Sequence, residues 1–192
     1  EVRRAKPRRI LDVATGTGDL AIALAQRIRD VQVMGVDLSE EMLAVARRKV
    51  EARGLDNRIV LERGDAEHLD VADASVDAAT VAFGVRNFGD LAAGLRELAR
   101  TIKPGGKVVI LEFSRPRNRV FRALYEFYSY KILPRIGGLV SRDKRAYEYL
   151  PASVGEFPAP AVFLEMMEKA GFRNCWARSQ SFGIAQIYIG ER

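Results

Sequence analysis

The sequence contains few of the residues that build metal centres and disulfide frameworks. Its 192 residues include one cysteine, Cys175, and one histidine, His68. A single cysteine excludes an internal disulfide, and this cysteine and histidine content excludes a zinc site built from His/Cys clusters. We therefore expect no metal site, and the low use of cysteine favours a cytoplasmic setting.

Long apolar runs are also missing. No stretch approaches the roughly 18 to 20 apolar residues of a membrane-spanning helix, and no signal-peptide pattern opens the chain. The hydrophobic fraction of 48% is sufficient for one sizeable core, and nothing in the composition indicates disorder or repeats. These features predict a single cytoplasmic domain over residues 1–192.

Positive charge exceeds negative charge, with 31 Lys and Arg residues against 25 Asp and Glu residues, a formal charge of +6. The excess is concentrated in two clusters, one between residues 3 and 9 and one between residues 115 and 145. Such clusters attract nucleic acid, anionic lipid or acidic ligands, although a solvated basic face explains either cluster equally well.

Apolar, β-rich stretches alternate with helical periodicity up to residue 113. They lie at 9–14, 32–37, 58–63, 76–83 and 107–113. This alternation predicts parallel βαβ units. Ser39 and Asp90 are placed to cap the second and third helices, and Lys103-Pro104-Gly105-Gly106 ends the third.

The C-terminal part contains a helix near 160–170 and two β-rich stretches, FRNCWAR and GIAQIYIG. The connection between these stretches is too short for a crossover helix, so we expect them to be antiparallel neighbours. The predicted fold is Rossmann-like α/β, a mostly parallel seven-stranded sheet with helices on both faces and one antiparallel edge-hairpin strand. An irregular insertion at about 114–160, with a helix at 117–133, is interpreted as a lid.

The stretch ILDVATGTGDLA, residues 10–21, leads a strand through a glycine-rich turn into a helix. Gly16-x-Gly18-x-x-Ala21, with Asp37 about 20 residues further on, satisfies the dinucleotide-binding fingerprint. Asp19, however, lies at the helix start, where a diphosphate needs positive potential. A carboxylate there repels a diphosphate and favours S-adenosylmethionine, which carries an ammonium and a sulfonium group.

Acids also follow the next two predicted strands. Asp37 ends the second strand, where it is placed to accept hydrogen bonds from both ribose hydroxyls. Asp65 follows the third strand, where it is placed to accept an adenine amino hydrogen while the Ala66 N–H meets a ring nitrogen. Acids after three successive parallel strands form one ligand edge, which favours an S-adenosylmethionine site over unrelated capping acids.

Longer motifs extend this interpretation. They are DVATGTGDL, GVDLSEEML, GDAEHL, AFGVRN, IKPGGKVVILEFSRP and LYEFYSYKILPRIGGLVSRDKRAYEYL. They resemble the class I S-adenosylmethionine-dependent methyltransferases, and more specifically the UbiE/MenG family, which C-methylates quinol precursors of ubiquinone and menaquinone. The resemblance covers nearly the whole chain. It implies a transferase that methylates demethylmenaquinol, the benzoquinol of the ubiquinone pathway, or both.

The residue chemistry and the resemblance together predict the site. The expected cofactor contacts are Ala14, Thr15, Gly16, Thr17, Gly18, Asp19, Asp37, Leu38, Met42, Asp65, Ala66 and Phe83. Arg86 and Asn87, in the turn after the fourth strand, are the expected catalytic residues. Because a guanidinium is effectively always protonated, Arg86 is assigned to stabilising the quinol oxyanion and not to abstracting a proton. Phe83, Tyr125 and Tyr128 are expected to contact the acceptor.

Other functions stay open at this point. A pI near 9.7 suits an RNA methyltransferase. Methylation of exocyclic amines, however, typically uses an Asn/Asp-Pro-Pro-aromatic turn after the fourth strand, where this chain has AFGVRN. Methylation of pyrimidine C5 commonly needs a cysteine nucleophile, and Cys175 lies in a late strand, far from that turn. Another small-molecule methyltransferase, or an adenosine-binding regulatory protein, is also compatible. We expect a lipid quinol partner and no nucleic acid. Peripheral contact with the inner face of a membrane and a homodimer are left open.

Overall fold

The computed structural model describes Val2 and residues 6–114 and 154–192. Its strands are β1 Arg9–Val13, β2 Gln32–Asp37, β3 Ile59–Arg63, β4 Val76–Ala82, β5 Ile102–Phe113, β6 Arg173–Gln180 and β7 Ala185–Glu191. Its helices are α1 Asp19–Arg27, α2 Glu40–Glu51, α3 Leu91–Thr101 and α4 Pro160–Lys169. Short 3-10 turns lie at Val85–Asn87 and Ser181–Gly183.

The strands form a seven-stranded sheet in the order β3-β2-β1-β4-β5-β7-β6. The first five strands are parallel, and β7 is antiparallel to both of its neighbours. The last strand therefore lies between β5 and β6, and β6 forms the edge. The predicted mostly parallel sheet with one reversed hairpin strand is confirmed.

Alternate residues of β1 point to opposite faces of the sheet and join two different cores. Ile10 belongs to the core that contains buried residues of α1 and α2, such as Ile22 and Val50. Leu11 belongs to the core that contains buried residues of α3 and α4, such as Leu98. Helices consequently cover both faces, as the βαβ pattern predicts.

Side-chain caps start the two helices that follow β2 and β4. Ser39 Oγ accepts a hydrogen bond from Met42 N at 3.3 Å, and Asp90 Oδ1 accepts one from Ala93 N at 2.9 Å. Both caps were predicted from the sequence. They fix the start of α2 and α3 just beyond the carboxyl ends of the parallel strands, where the site is found.

Of the helices in the described residues, none is long and apolar enough to cross a membrane. The predicted helix at 117–133 and most of the predicted lid at 114–160 lie outside the described residues, as do Tyr125, Tyr128 and the basic cluster at 115–145. The division of the chain into one domain with a lid therefore stays a prediction.

Candidate active site

A cavity of about 520 Å³ opens at the carboxyl ends of the parallel strands. Open α/β sheets bind ligands at this edge, where the strand order reverses between β1 and β4. The cavity lining brings together these residues of the predicted site: Ala14, Thr15, Gly16, Asp37, Leu38, Met42, Asp65, Ala66, Phe83, Arg86 and Asn87. Four successive strand ends thus contribute to one site.

The turn after β1 depends on a left-handed backbone. Ala14, Gly16 and Gly18 have φ angles of 54°, 56° and 77°, a region that glycine enters without steric cost. Gly18 N donates to Thr15 O at 2.9 Å and closes the turn. A Cβ on Gly18 would lie 3.0 Å from the Cβ of Ala46, so the missing side chain lets α2 pack closely against the turn.

Thr17, Gly18 and Asp19 do not line the cavity. Lys49 Nζ donates to both carboxylate oxygens of Asp19, at 2.9 and 2.8 Å, and to Thr17 Oγ1 at 3.0 Å. These contacts with Lys49 and with Thr17 hold the pKa of Asp19 below its ordinary value. The structure therefore corrects the electrostatic argument from Asp19, because its charge is exposed and already paired. The predicted cofactor contacts of these three residues stay predictions.

Asp37 is held in the cavity lining by the backbone. Its Oδ2 accepts a hydrogen bond from Gly16 N at 2.8 Å, and its Oδ1 accepts one from Ser39 N at 2.9 Å. Each oxygen of an ionised carboxylate has the capacity for a second hydrogen bond. Asp37 therefore presents two fixed, adjacent acceptors, a pattern that matches the two neighbouring hydroxyls of a ribose.

Two further carboxylates lie beside Asp37 in the lining, and we refer to Asp37, Asp65 and Glu67 as the acidic wall. Asp65 Oδ1 accepts from Glu67 N at 2.9 Å, and Glu67 Oε1 accepts from Asp90 N at 2.9 Å. Among the described residues, Arg86 is the one cationic side chain in this lining. The acidic wall therefore favours a positively charged ligand. Sequence reasoning missed Glu67, although it stands two residues after Asp65.

The same lining exposes three large apolar side chains. Leu38, Met42 and Phe83 are 60%, 48% and 37% exposed. Apolar lining with a few converging polar groups is typical of a small-molecule site. With the acidic wall, this lining fits a nucleoside that carries positive charge, since it offers apolar surface to the base, acceptors to the ribose and negative potential to the cation. S-adenosylmethionine has these three features.

Phe83 and Arg86 also line the cavity, and we refer to them together with Glu112 and Phe113, which contact them behind the lining, as the arginine wall. Arg86 Nη1 donates to Glu112 Oε1 at 2.8 Å, and the Arg86 side chain is 10% exposed. The guanidinium carbon lies 5.5 Å from the centre of the Phe113 ring, which stacks on Phe83 at 4.4 Å. Sequence reasoning missed Glu112, for which the available signal was a lone acid in the apolar strand KVVILEF.

A second buried acid, Asp12, lies in β1 and was also missed. Its carboxylate accepts hydrogen bonds from Thr15 Oγ1 at 2.7 Å and Thr80 Oγ1 at 2.5 Å. Burial raises the pKa of Asp12 from 3.8 to about 6, against the effect of the two threonines and with a contribution from Asp37. Asp12 thus links the turn after β1 to the neighbouring strand β4.

Solved structures share this fold. The YcgJ protein from Bacillus subtilis aligns with a TM-score of 0.70 and 19% identity, over 100% of this chain and 95% of its own. A SAM dependent methyltransferase from Aquifex aeolicus aligns with a TM-score of 0.71 and 20% identity, over 96% of this chain and 82% of its own. These likenesses confirm the predicted fold class, the Rossmann-like fold of class I methyltransferases.

Sequence comparison gives the family. The model of the ubiE/COQ5 methyltransferase family matches residues 2–192. The ubiquinone/menaquinone biosynthesis C-methyltransferase UbiE of Geobacter sulfurreducens is 47% identical over 100% of this chain and 75% of its own length. The demethylmenaquinone methyltransferase of Deinococcus radiodurans is 48% identical over 97% of this chain and 76% of its own length. The chain belongs to the ubiE/COQ5 methyltransferase family, which confirms the resemblance found in the motifs.

Proposed function

We propose that this chain transfers a methyl group from S-adenosylmethionine to a ring carbon of a polyprenyl quinol. Demethylmenaquinol is the proposed acceptor, with the benzoquinol of the ubiquinone pathway as the second. The relatives at 47% and 48% identity are named for these reactions. The observation that carries the proposal is the single cavity in which the acidic wall, exposed apolar side chains and Arg86 converge.

On the cofactor side, Asp37 accepts hydrogen bonds from the ribose hydroxyls, Asp65 accepts the adenine amino hydrogen and the Ala66 N–H binds a ring nitrogen. Leu38 and Met42 cover the base, as their exposed positions in the lining favour. When bound, S-adenosylmethionine supplies an electrophilic methyl group on a sulfonium. The face of Phe83 attracts that positive charge by a cation–π interaction.

On the acceptor side, the ring carbon becomes nucleophilic when the adjacent hydroxyl loses its proton. With the donor bound, the new carbon–carbon bond would form as the carbon–sulfur bond of the donor breaks with its electron pair on sulfur, and the ring hydrogen would pass to water as a proton, which restores aromaticity. Arg86 stabilises the negative charge on the oxygen, and Asn87 offers amide hydrogen bonds in the same turn. Positioning and electrostatics supply catalysis of this kind without a metal.

The decisive experiment is a mass-resolved assay that offers reduced demethylmenaquinone and the ubiquinone precursor side by side, with S-adenosylmethionine as methyl donor. A lipid product heavier by one methyl group is expected, and RNA in a parallel reaction is expected to stay unmethylated. A chain that binds S-adenosylmethionine but methylates neither quinol would overturn the proposed acceptor.

The finer partners are also part of this proposal. Tyr125 and Tyr128 are proposed to contact the apolar tail, and the neighbouring arginines Arg117, Arg119 and Arg122 to contact anionic lipid, because basic residues next to apolar ones favour such a surface. Charge reversal of the three arginines is expected to reduce association with anionic liposomes. Unchanged association would contradict this contact. Homodimerisation is tested by sedimentation of the purified chain.

A further inference from the structure

Glu112 is a buried acid that none of the proposed cofactor contacts uses. Its side chain has an exposure of 0%, and it stands near the end of β5, among apolar residues of the strand. An ionised carboxylate in such a place is strongly destabilising unless it is paired and hydrogen-bonded. The partners that compensate Glu112 therefore indicate what it does.

The partners of Glu112 are concentrated on Arg86. Oε1 accepts from Arg86 Nη1 at 2.8 Å and from Phe113 N at 2.8 Å, and Oε2 accepts from Arg86 N at 3.2 Å. One carboxylate thus holds both the backbone and the guanidinium of Arg86. Arg86 Nη1 also donates to the carbonyl oxygen of Phe83, and the guanidinium lies over the Phe113 ring.

These contacts remove the freedom of a long side chain. A free arginine side chain samples many rotamers, and a group that stabilises charge in a transition state is effective only when it is oriented beforehand. A buried ion pair is not needed for stability in general, because apolar residues of similar volume often serve as well. The arrangement is therefore better explained by the direction it imposes on Arg86 than by a contribution to folding.

We propose that Glu112 is the positioning residue of Arg86, which it fixes in the cavity lining so that the guanidinium meets the oxygen of the acceptor. Glu112 touches neither the acceptor nor the cofactor and acts through Arg86. This inference rests on the proposed role of Arg86 in methyl transfer to the quinol.

The primary test is Glu112→Gln, which keeps the shape of the side chain and removes its charge. The amide NH2 group then replaces one carboxylate oxygen and faces N–H donors of Arg86 or Phe113, with which it cannot form the same hydrogen bond. We expect kcat to fall roughly 10- to 100-fold, since small displacements of a catalytic group have effects of this size. The Kd for S-adenosylmethionine and the KM for reduced demethylmenaquinone are expected to stay within about threefold, because the lost interaction is made in the transition state.

Glu97→Gln is the matched control. Glu97 also pairs with an arginine, Arg100, at 2.7 and 2.8 Å, and it accepts from Leu69 N, but neither Glu97 nor Arg100 lines the cavity. This control is expected to lower thermal stability and to leave kcat unchanged. A general effect of breaking a glutamate–arginine pair would instead lower kcat in both variants, and would overturn the inference.

A double-mutant cycle separates positioning from a purely structural effect. In the Arg86→Ala background, Glu112→Gln is expected to change kcat by less than about twofold, because the residue through which Glu112 acts is gone. An equal loss of kcat in both backgrounds would overturn the inference. Glu112→Asp, which keeps the charge, is expected to have a kcat between those of the wild type and Glu112→Gln, and it replaces that variant in the cycle if the glutamine protein does not fold.

The outcomes distinguish this inference from the proposed function. If Arg86→Ala lowers turnover and Glu112→Gln does not, the positioning role is wrong while the role of Arg86 stands. If Arg86→Ala itself keeps full turnover, the proposed role of Arg86 fails, and the positioning role fails with it.

Discussion

The acidic wall and the arginine wall hold their charged groups by different means. Backbone N–H groups fix the carboxylates of Asp37 and Asp65, whereas a buried carboxylate, Glu112, fixes the guanidinium of Arg86. A carboxylate held by neutral N–H donors leaves the acidic wall with net negative charge. A guanidinium paired with a carboxylate forms a group with no net charge. We infer that the acidic wall selects its ligand by charge, and that the arginine wall acts through the fixed orientation of the Arg86 guanidinium.

The largest expected effect tests the acidic wall. Asp37→Ala removes the proposed acceptor for the ribose hydroxyls, which also accepts hydrogen bonds from Gly16 N and Ser39 N. Hydrogen bonds to charged groups contribute about 1.5–3 kcal/mol each, so we expect the affinity for S-adenosylmethionine to fall at least about 100-fold. Isothermal titration calorimetry measures this change.

Asp73→Ala is the control for that experiment. The carboxylate of Asp73 is exposed, paired with Arg100 and outside the cavity lining, so we expect its removal to change the affinity by less than about threefold. A loss as large as that of Asp37→Ala would show that the affinity does not depend on the acidic wall.

The second effect tests the arginine wall. Arg86→Ala is expected to lower kcat by about 10²- to 10³-fold, the usual loss when one donor to a developing oxyanion is removed. The affinity for S-adenosylmethionine should be preserved, because Arg86 makes none of the proposed cofactor contacts. Quenched-flow measurement of methyl transfer, with calorimetry beside it, checks both parts. Arg96→Ala, an exposed arginine on α3, serves as the control.

The third effect concerns Asp12, the buried acid of β1. The pKa of Asp12 in the folded protein is about 6, above the ordinary 3.8. Protonated Asp12 therefore contributes fully to the free energy of unfolding below pH ~4, and this contribution is lost as the pH rises through ~6. This fall amounts to about 3 kcal/mol and is expected to be absent in Asp12→Asn. Urea unfolding between about pH 3.5 and 8 compares the pH dependence of the free energy of unfolding in the two proteins, and parallel curves would contradict the raised pKa of Asp12.

The smallest effect concerns the junction between the walls. A Cβ on Gly84 would lie 2.3 Å from the Cβ of Ala14, so Gly84→Ala is expected to reduce the free energy of unfolding by about 2 kcal/mol through overpacking. The addition of Ala14→Gly removes the overlapping atom and should restore most of the loss. No restoration in urea unfolding would show that the overlap is not the cause.

Much of the fold could be predicted from the sequence because its signals are local. The apolar stretches, the caps at Ser39 and Asp90, and the short connection between the last two strands each depend on neighbouring residues. The positions of Asp37 and Asp65 followed as well, because the carboxyl ends of parallel strands must meet at one edge.

The remaining features of the site depend on contacts between distant segments. Lys49 neutralises Asp19 from another helix, and Glu112 reaches Arg86 only because β5 pairs with β4 in the register that joins Ala82 to Leu111. No local pattern specifies such pairs. Acids within apolar strands, such as Asp12 and Glu112, were the available sign that a buried partner existed.

The position of β7 between β5 and β6 determines the order in which the site is assembled during synthesis. Chains emerge from the ribosome N-terminus first, so the strands that hold the acidic wall can pair early. β5 gains its second neighbour only after residues 185–191 have left the exit tunnel. Until then its open edge is available to chaperones or to other nascent chains. The half that carries the acidic wall is therefore expected to mature before the half that carries Arg86 and Glu112.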